Sequence, residues 1–210
     1  MIRRLVDVAV SSLVLILLFP VFVVVAVAIR LDSQGNPLYR GWRAGKDGRL
    51  FRMLKFRSMV LNADRSGSAV TGKADPRITR VGHFIRKTKL DEFPQFWNVL
   101  IGDMTLIGPR PEAPSIVKLY TPEQRRVLSV KPGLTGPSQI SCTEDESMAV
   151  LSSEAAERYY IQHVLERRLA IDAAYIRNRS LSSDLALISQ TIELMLRALL
   201  GNGPRAHPSR

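Results

Sequence analysis

The sequence predicts a mostly α, membrane-associated fold with one short β-hairpin, and three observations predict it. The run from Leu5 to Ile29 is apolar apart from Asp7, the composition of a segment that resides in a membrane. One turn signal, Asp47-Gly48, separates two short stretches rich in aromatic and apolar residues, as in a hairpin. The C-terminal third carries Tyr159, Tyr160, Val164, Leu169 and Ile176 on an approximately helical period. At 210 residues the chain has the size of one domain with a sizeable core.

Taken in order, the elements begin with the membrane segment, flanked by Arg3 and Arg4 before it and Arg30 after it. Ala26-Val27-Ala28 imitates a small-x-small cleavage site, but the apolar run is longer than that of a cleaved leader. About 25 residues of helix reach ~37 Å, enough to cross ~30 Å of hydrocarbon. Pro20 lies inside the run, removes a backbone hydrogen bond and predicts a kink. The arm before it extends only ~22 Å. Positive residues at both ends remove the charge asymmetry that orients a spanning helix. Two geometries satisfy these facts: a re-entrant hairpin over residues 1–32 with both ends on the cytosolic side, and a kinked transmembrane helix, since prolines are tolerated in such helices.

Ser33 to Pro37, SQGNP, reads as a turn. The hairpin follows, and residues 60–82, punctuated by Gly and Pro, read as a loop with one helical turn. Pro94 is accommodated in the first turn of a helix, so the helix in FPQFWNVLIG is expected to start close to Asp91. Thr121 as N-cap, Pro122 as first helical residue and Gln124 completing a capping box specify another helix start. A long helix is expected over Ser153 to Asn178, and a second from about Asp184 to Leu200, whose apolar stripe suits either the core or a membrane interface. Residues 201–210 read as a disordered tail, which leaves 33–200 as a cytosolic catalytic domain at the membrane surface.

Lys and Arg number 30 against 19 acids, a formal charge of +11. That excess calls for an anionic partner: nucleic acid, an acidic membrane surface or a phosphorylated substrate. The single cysteine, Cys142, excludes an internal disulfide framework, and His83, His163 and His207 beside it give no zinc-ligand spacing. Against this basic background Asp91 and Glu92 stand adjacent. Lys55 and Arg57 alternate along a strand pattern and so are expected on one face, Arg86 precedes the acids by a short interval, and Arg110 sits between two prolines in GPRP. Two carboxylates among cations are what transfer chemistry on a phosphate ester requires: a nucleophile or metal ligand, with guanidinium and ammonium groups on phosphate oxygens. One acid would attack phosphorus while the other binds Mg²⁺, a hard cation that takes one or two carboxylates plus substrate phosphates. The competing reading is a membrane-tethered basic protein that binds anionic lipid or nucleic acid without catalysis, and it rests on charge alone, since no nucleic-acid module is present. A nucleotide-dependent kinase lacks its GxxxxGK[ST] loop here.

The stretches KFRSM, KLDEFPQFWNVLIGDMTLIGPRP and KPGLTG closely resemble the bacterial sugar transferase family, the monotopic phosphoglycosyl transferases that act on polyprenol phosphate. The resemblance runs from the N-terminal apolar segment to YIRNRSLSSDLALI. It implies a monotopic fold with a re-entrant helix broken at Pro20 and interfacial amphipathic helices, seated on the cytosolic face of the bacterial inner membrane. The implied reaction passes a sugar 1-phosphate from a UDP-sugar to undecaprenyl phosphate through an aspartyl intermediate, releasing UMP, with Mg²⁺ as cofactor and no nucleic acid partner. By position, Asp91 matches the nucleophile, Glu92 the metal-binding partner, and Lys55, Arg86 and Arg110 the phosphate-binding cations. Two departures stand out. Phe19 precedes Pro20 where members often place serine, and PGLTGPSQISCT puts Pro137, Ser138, Ser141, Cys142 and Thr143 where many members read PGxTGWAQVNGR. The second departure leads to the expectation of a UDP-sugar other than plain glucose, N-acetylated or 6-deoxy.

Overall fold

Two helices account for the N-terminal run: α1 (Ile2–Leu17) and α2 (Phe19–Asp32), which meet in the computed structural model at a bend of 60°. The structure describes residues 2–63, 75–142 and 152–199. The break falls at Leu18, two residues ahead of the expected Pro20, because Pro20 is accommodated in the first turn of α2, where its missing N–H is not needed. Among the described residues no single helix is long and apolar enough to cross a membrane; the bent pair meets the length and composition requirement together. Its apolar side chains face outward around the bend, with Ile16, Leu17, Phe19 and Val24 all more than half exposed.

Polar contacts tie both ends of this pair to the rest of the chain. Arg4 donates to the carbonyls of Val99 (2.6 Å) and Leu100 (2.7 Å), and Arg3 Nε donates to Asp184 Oδ2 at 2.7 Å. Asp7, the one charge within the apolar run, is buried and accepts from Thr105 Oγ1 (2.9 Å) and the Leu106 N–H (2.9 Å). At the other end Asp32 Oδ2 accepts from the Val81 N–H at 2.9 Å.

The hairpin forms as expected. Strands β1 (Leu38–Ala44) and β2 (Leu50–Phe56) pair antiparallel in the register Leu38↔Phe56 to Ala44↔Leu50. The connection turns through Asp47 at φ 57° and Gly48 at φ 74°, left-handed conformations that Gly adopts freely and Asp tolerates. The loop expected over residues 60–82 is corrected at its C-terminal end. Met59 bridges Ile78, and α3 (Arg80–Lys87) begins earlier than the sequence suggests, capped by Thr79 Oγ1 accepting from the Gly82 N–H at 3.0 Å. Gly82 is obligatory there, since a Cβ would stand 2.0 Å from the Ser58 carbonyl oxygen.

The helix expected to start near Asp91 starts at Gln95, as α4 (Gln95–Ile101). Asp91 and Glu92 instead occupy a 3₁₀ turn, Leu90–Glu92, entered through Lys89 at φ 58°. Its i→i+3 bonds, Glu92 N–H to Lys89 O and Phe93 N–H to Leu90 O, both 3.2 Å, close the turn before Pro94, which has no N–H to extend an α ladder. Next come β3 (Thr105–Ile107), α5 (Pro114–Val117), β4 (Gly133–Thr135) and α6 (Pro137–Ser141). β3 and β4 pair in parallel, an association not visible in local sequence pattern. The capping box is realised, with Thr121 N–H to Gln124 Oε1 at 2.9 Å and Gln124 N–H to Thr121 Oγ1 at 3.3 Å, but the helix it opens, Gln124–Ser129, is 3₁₀.

The expected long helix is α7 (Ser153–Tyr159) and α8 (Leu165–Arg177), joined through a π turn at Tyr160–Val164. The last element is α9 (Leu181–Leu199), which begins three residues before the expected Asp184. Its two faces divide the alternatives the sequence left open: Leu187 and Ile188 pack on the core, while Leu185, Ile192 and Leu196 are more than half exposed. Leu200, the tail and Thr143 lie outside the described residues.

Three apolar clusters hold the body. One joins α2, β2 and α3 through Val25, Ile29, Phe56 and Ile85; a second joins β2, α4 and β3 through Phe51, Met53, Val99, Met104 and Leu106; the third packs α5 on α8 through Ile116, Val117, Leu165 and Leu169. The turn bearing the two acids lies where the first and second clusters meet.

Candidate active site

Asp91 and Glu92 are placed by what holds their turn against the hairpin. Asn98, 1% exposed, accepts from the Leu54 N–H at 2.9 Å and donates to the Arg52 carbonyl at 2.9 Å. Its side-chain amide thus completes the edge of β2 as a neighbouring strand would. This clamp sets α4, and the turn before it, at a fixed height along β2, and Lys55, the next residue after Leu54, meets Glu92 Oε1 with Nζ at 2.7 Å. Both partners are only partly exposed, 22% and 28% by side chain.

The two acids are shifted in opposite directions. Asp91 is 7% exposed; burial, and then the charge of Glu92, push its carboxyl above the usual range against the pull of Lys55, Arg86 and Lys89. Burial pushes Glu92 the same way but is outweighed by Lys55, through both charge and hydrogen bond, with Arg110 and Lys89, which together hold it at about 2. Glu92 is therefore a committed anion, and Asp91 the more basic of the pair.

The structure brings Lys55, Arg86 and Arg110 around the acids from three separate segments: β2, α3 and the loop after β3. Arg57 it does not. The strand ends at Phe56, so the expected shared face with Lys55 breaks down at Arg57, whose backbone N–H makes the final bond to Pro37 O at 2.8 Å. Its side chain is buried, and its guanidinium caps the exit of α2, donating to Ser33 O at 2.8 Å, to Ser33 Oγ at 3.0 Å and to Gln34 O. Arg57 joins the N-terminal pair to the hairpin.

Sequence reasoning missed Lys89. Lys89, in its left-handed conformation, adds a cation felt by both acids.

Beyond Arg110 lies a polar cluster. Arg110 Nε is 3.8 Å from Glu112 Oε1, which accepts from the Tyr160 hydroxyl at 2.5 Å; Arg168 stacks 5.4 Å from the Tyr160 ring centre, and Asp172 accepts from Ser138 Oγ at 2.9 Å. Burial raises Asp172 to about 6. Ser138, one of the residues that depart from the common pattern, is fully buried and locks α6 to α8. A cavity of about 20 Å³ sits among these groups, bordered by Arg110, Glu112, Ser138, Tyr160, Arg168 and Asp172. Ligand sites run to hundreds of Å³, so this cavity is too small to be one.

The chain matches the family described as Bacterial sugar transferase over residues 1–198. It is similar to a UDP-galactose-lipid carrier transferase of Erwinia amylovora, 36% identical over 210 residues, covering 93% of this chain and 40% of that protein. A UDP-glucose:undecaprenyl-phosphate glucose-1-phosphate transferase of Klebsiella pneumoniae is 38% identical over 193 residues, covering 90% and 39%. A UDP-N-acetylgalactosamine-undecaprenyl-phosphate N-acetylgalactosaminephosphotransferase of Aeromonas hydrophila is 36% identical over 201 residues, covering 93% and 44%. The chain spans about two fifths of the length of these relatives.

Proposed function

Because the chain belongs to the bacterial sugar transferase family, we propose that it moves a sugar 1-phosphate from a UDP-sugar to undecaprenyl phosphate, as the first membrane step of glycan assembly. The observation that carries this reading is the pair of adjacent carboxylates on one turn beside Lys55, Asp91 buried with its carboxyl raised, Glu92 2.7 Å from Lys55 Nζ and held low. Asp91 attacks the phosphorus that bears the sugar; the phosphoanhydride bond breaks and its electron pair leaves on UMP. An oxygen of undecaprenyl phosphate then attacks the aspartyl phosphosugar, and the electron pair of the broken bond regenerates the Asp91 carboxylate. Lys55, Lys89, Arg86 and Arg110 hold phosphate oxygens through both steps.

Glu92, an anion beside the acid that attacks, fits Mg²⁺ as one of the one or two carboxylates it takes alongside substrate phosphates, which would supply the remaining oxygens. When bound, the ion supplies neutralisation of phosphate charge.

The N-terminal pair serves as a re-entrant membrane anchor on the cytosolic face of the inner membrane. Support comes from Arg3, Arg4 and Asp7 at one end and Asp32 at the other, all bound to the same body, which leaves the apolar bend to enter the bilayer. In a Cys142→Ser background, Ile2→Cys and Gln34→Cys are both expected to react with a reagent confined to the cytosolic side, and Pro20→Leu is expected to shift the segment toward spanning. Labelling of Ile2→Cys from the periplasmic side would overturn the anchor.

The test of the reaction is direct: detergent-solubilised chain, Mg²⁺, undecaprenyl phosphate and UDP-glucose, UDP-galactose or UDP-N-acetylgalactosamine, with UMP as the readout. Mg²⁺-dependent UMP release with a lipid-linked sugar phosphate is expected, with UDP-glucose a poor donor. Failure with every donor would leave the non-catalytic reading. The rate has a pH signature. Asp91 must be ionised to attack, so activity falls as pH drops through its pKa, which lies above the ordinary 3.8. Glu92, held at about 2, stays an anion through that range, so between the two acids the acid limb belongs to Asp91, provided it is read as UMP release without undecaprenyl phosphate, whose own phosphate titrates at about pH 6. A profile of that half-reaction flat down to about pH 4 would show that the Asp91 carboxyl is not raised.

A further inference from the structure

The main chain around Arg110 is fixed from both sides. Arg110 stands between Pro109 and Pro111, whose rings lock their own φ. Before it, the Gly108 N–H donates to Thr135 O at 3.0 Å and Pro109 O accepts from the Gly133 N–H at 2.8 Å; after it, Glu112 O accepts from the Ala44 N–H at 3.0 Å. Such bonds set a Cα, not the direction of a long side chain. An arginine that must be ordered by the phosphate it binds gives up affinity to do so.

Glu112 supplies the direction. Its Oε1 lies 3.8 Å from Arg110 Nε, and its side chain is 14% exposed against 43% for Arg110. The same Oε1 accepts from the Tyr160 hydroxyl at 2.5 Å. Tyr160 is 5% exposed and opens the π turn Tyr160–Val164 that joins α7 to α8. Turns of this kind are rare and recur at functional sites, and here the turn falls at the residue whose hydroxyl reaches Glu112. The ring is set from α8: Arg168, itself buried, stacks 5.4 Å from its centre and donates through Nη2 to Cys142 O at 3.0 Å. Burial, and then the charge of Glu112, raise the Tyr160 hydroxyl above its ordinary value, so it remains a donor. Among the cations that draw the Glu92 carboxyl down, Arg110 comes next after Lys55.

We propose that Glu112 and Tyr160 are positioning residues for transfer: the Tyr160 hydroxyl fixes the Glu112 carboxylate, and the carboxylate holds the Arg110 guanidinium where it meets a phosphate oxygen. Neither residue touches the reacting atoms. The inference rests on the transfer reaction proposed above, and it makes the π turn of the C-terminal helices part of what sets a phosphate-binding cation.

The test is a double-mutant cycle in the full chain, read as UMP release from a UDP-sugar without undecaprenyl phosphate. Glu112→Gln keeps an oxygen for the Tyr160 hydroxyl and removes the charge, while Tyr160→Phe keeps the ring and removes the hydroxyl. Each is expected to slow release by about fivefold, the effect of one partly exposed ion pair or one hydrogen bond. Arg110→Gln is expected to slow it by roughly 10–100-fold, through loss of a charge-assisted contact. In the Arg110→Gln background, neither second change is expected to alter the rate by more than about twofold, since no guanidinium is left to hold. A merely structural role gives losses that multiply. Calorimetric titration with UDP, which carries both donor phosphates, is independent of turnover. It is expected to show weaker binding in Glu112→Gln and in Tyr160→Phe, with no further loss when either is combined with Arg110→Gln. Multiplying losses would overturn the assignment, as would unchanged rate and affinity in both single variants. Tighter UDP binding in Glu112→Gln, the result if the carboxylate only neutralises Arg110, would overturn it too. Coupled UDP binding in a chain that releases no UMP from any donor would uphold the hold on Arg110 and refute the transfer reaction.

Discussion

Asp91→Asn is expected to abolish transfer while leaving the fold intact. Asparagine keeps the size of the side chain but cannot attack phosphorus, and loss of a group that makes a covalent bond costs on the order of 10⁴-fold or more in rate. Stability should not suffer. The carboxyl is raised from its ordinary value chiefly by burial, so the charged form is the one the fold disfavours, and neutralising it relieves rather than adds strain on the native state. With labelled donor and no undecaprenyl phosphate, the unmodified chain is expected to retain a phosphosugar on Asp91 and to release UMP, while Asp91→Asn does neither. Glu92→Gln is expected to reduce rate by a different route, releasing Lys55 from its 2.7 Å partner and removing a metal ligand. The outcome that sinks the mechanism is near-normal activity in Asp91→Asn, or label recovered on another residue.

Asp7→Ala is expected to have the largest effect on stability. The carboxylate is 6% exposed and satisfies the Thr105 hydroxyl and the Leu106 N–H. Truncation leaves a buried hydroxyl and a buried amide without acceptors, each costing about 1–3 kcal/mol, so roughly 2–6 kcal/mol in total. That is a large single-residue effect. It also detaches α1 from β3, which is not near the acids in sequence but shares a core cluster with α4 through Met104, Leu106 and Val99. A lowered Tm and faster proteolysis near α1 are expected, with Asp7→Asn milder because one amide oxygen can still accept. If Asp7→Ala unfolds at the same temperature as the unmodified chain, α1 is held by other contacts.

Much of the site was legible because it is local. Asp91 and Glu92 are neighbours in sequence, Pro94 follows directly, and the motif around them is continuous. What the local pattern could not carry was the type of turn. The sequence places a helix start at Asp91, whereas the left-handed Lys89 and the amide-less Pro94 confine the acids to a 3₁₀ turn. Arg57 shows the converse error: strand alternation extended one residue too far, past the point where β2 ends and the exit of α2 supplies three oxygen acceptors.

By itself the sequence determined the bend near Pro20, the hairpin at Asp47-Gly48, the Thr121–Gln124 capping box and the acidic pair, since each depends on backbone chemistry within a few residues. Tertiary structure alone decided the rest. Asp7 meets Thr105, Arg4 meets Val99, Arg3 meets Asp184 and Asn98 meets Leu54 across long stretches of chain. The parallel pairing of β3 with β4, and the bond from Ala44 at the end of β1 to Glu112, arise in the same way. Such contacts leave no periodicity or spacing to read, because the partner of a buried polar group is chosen by which distant segment the apolar core brings against it.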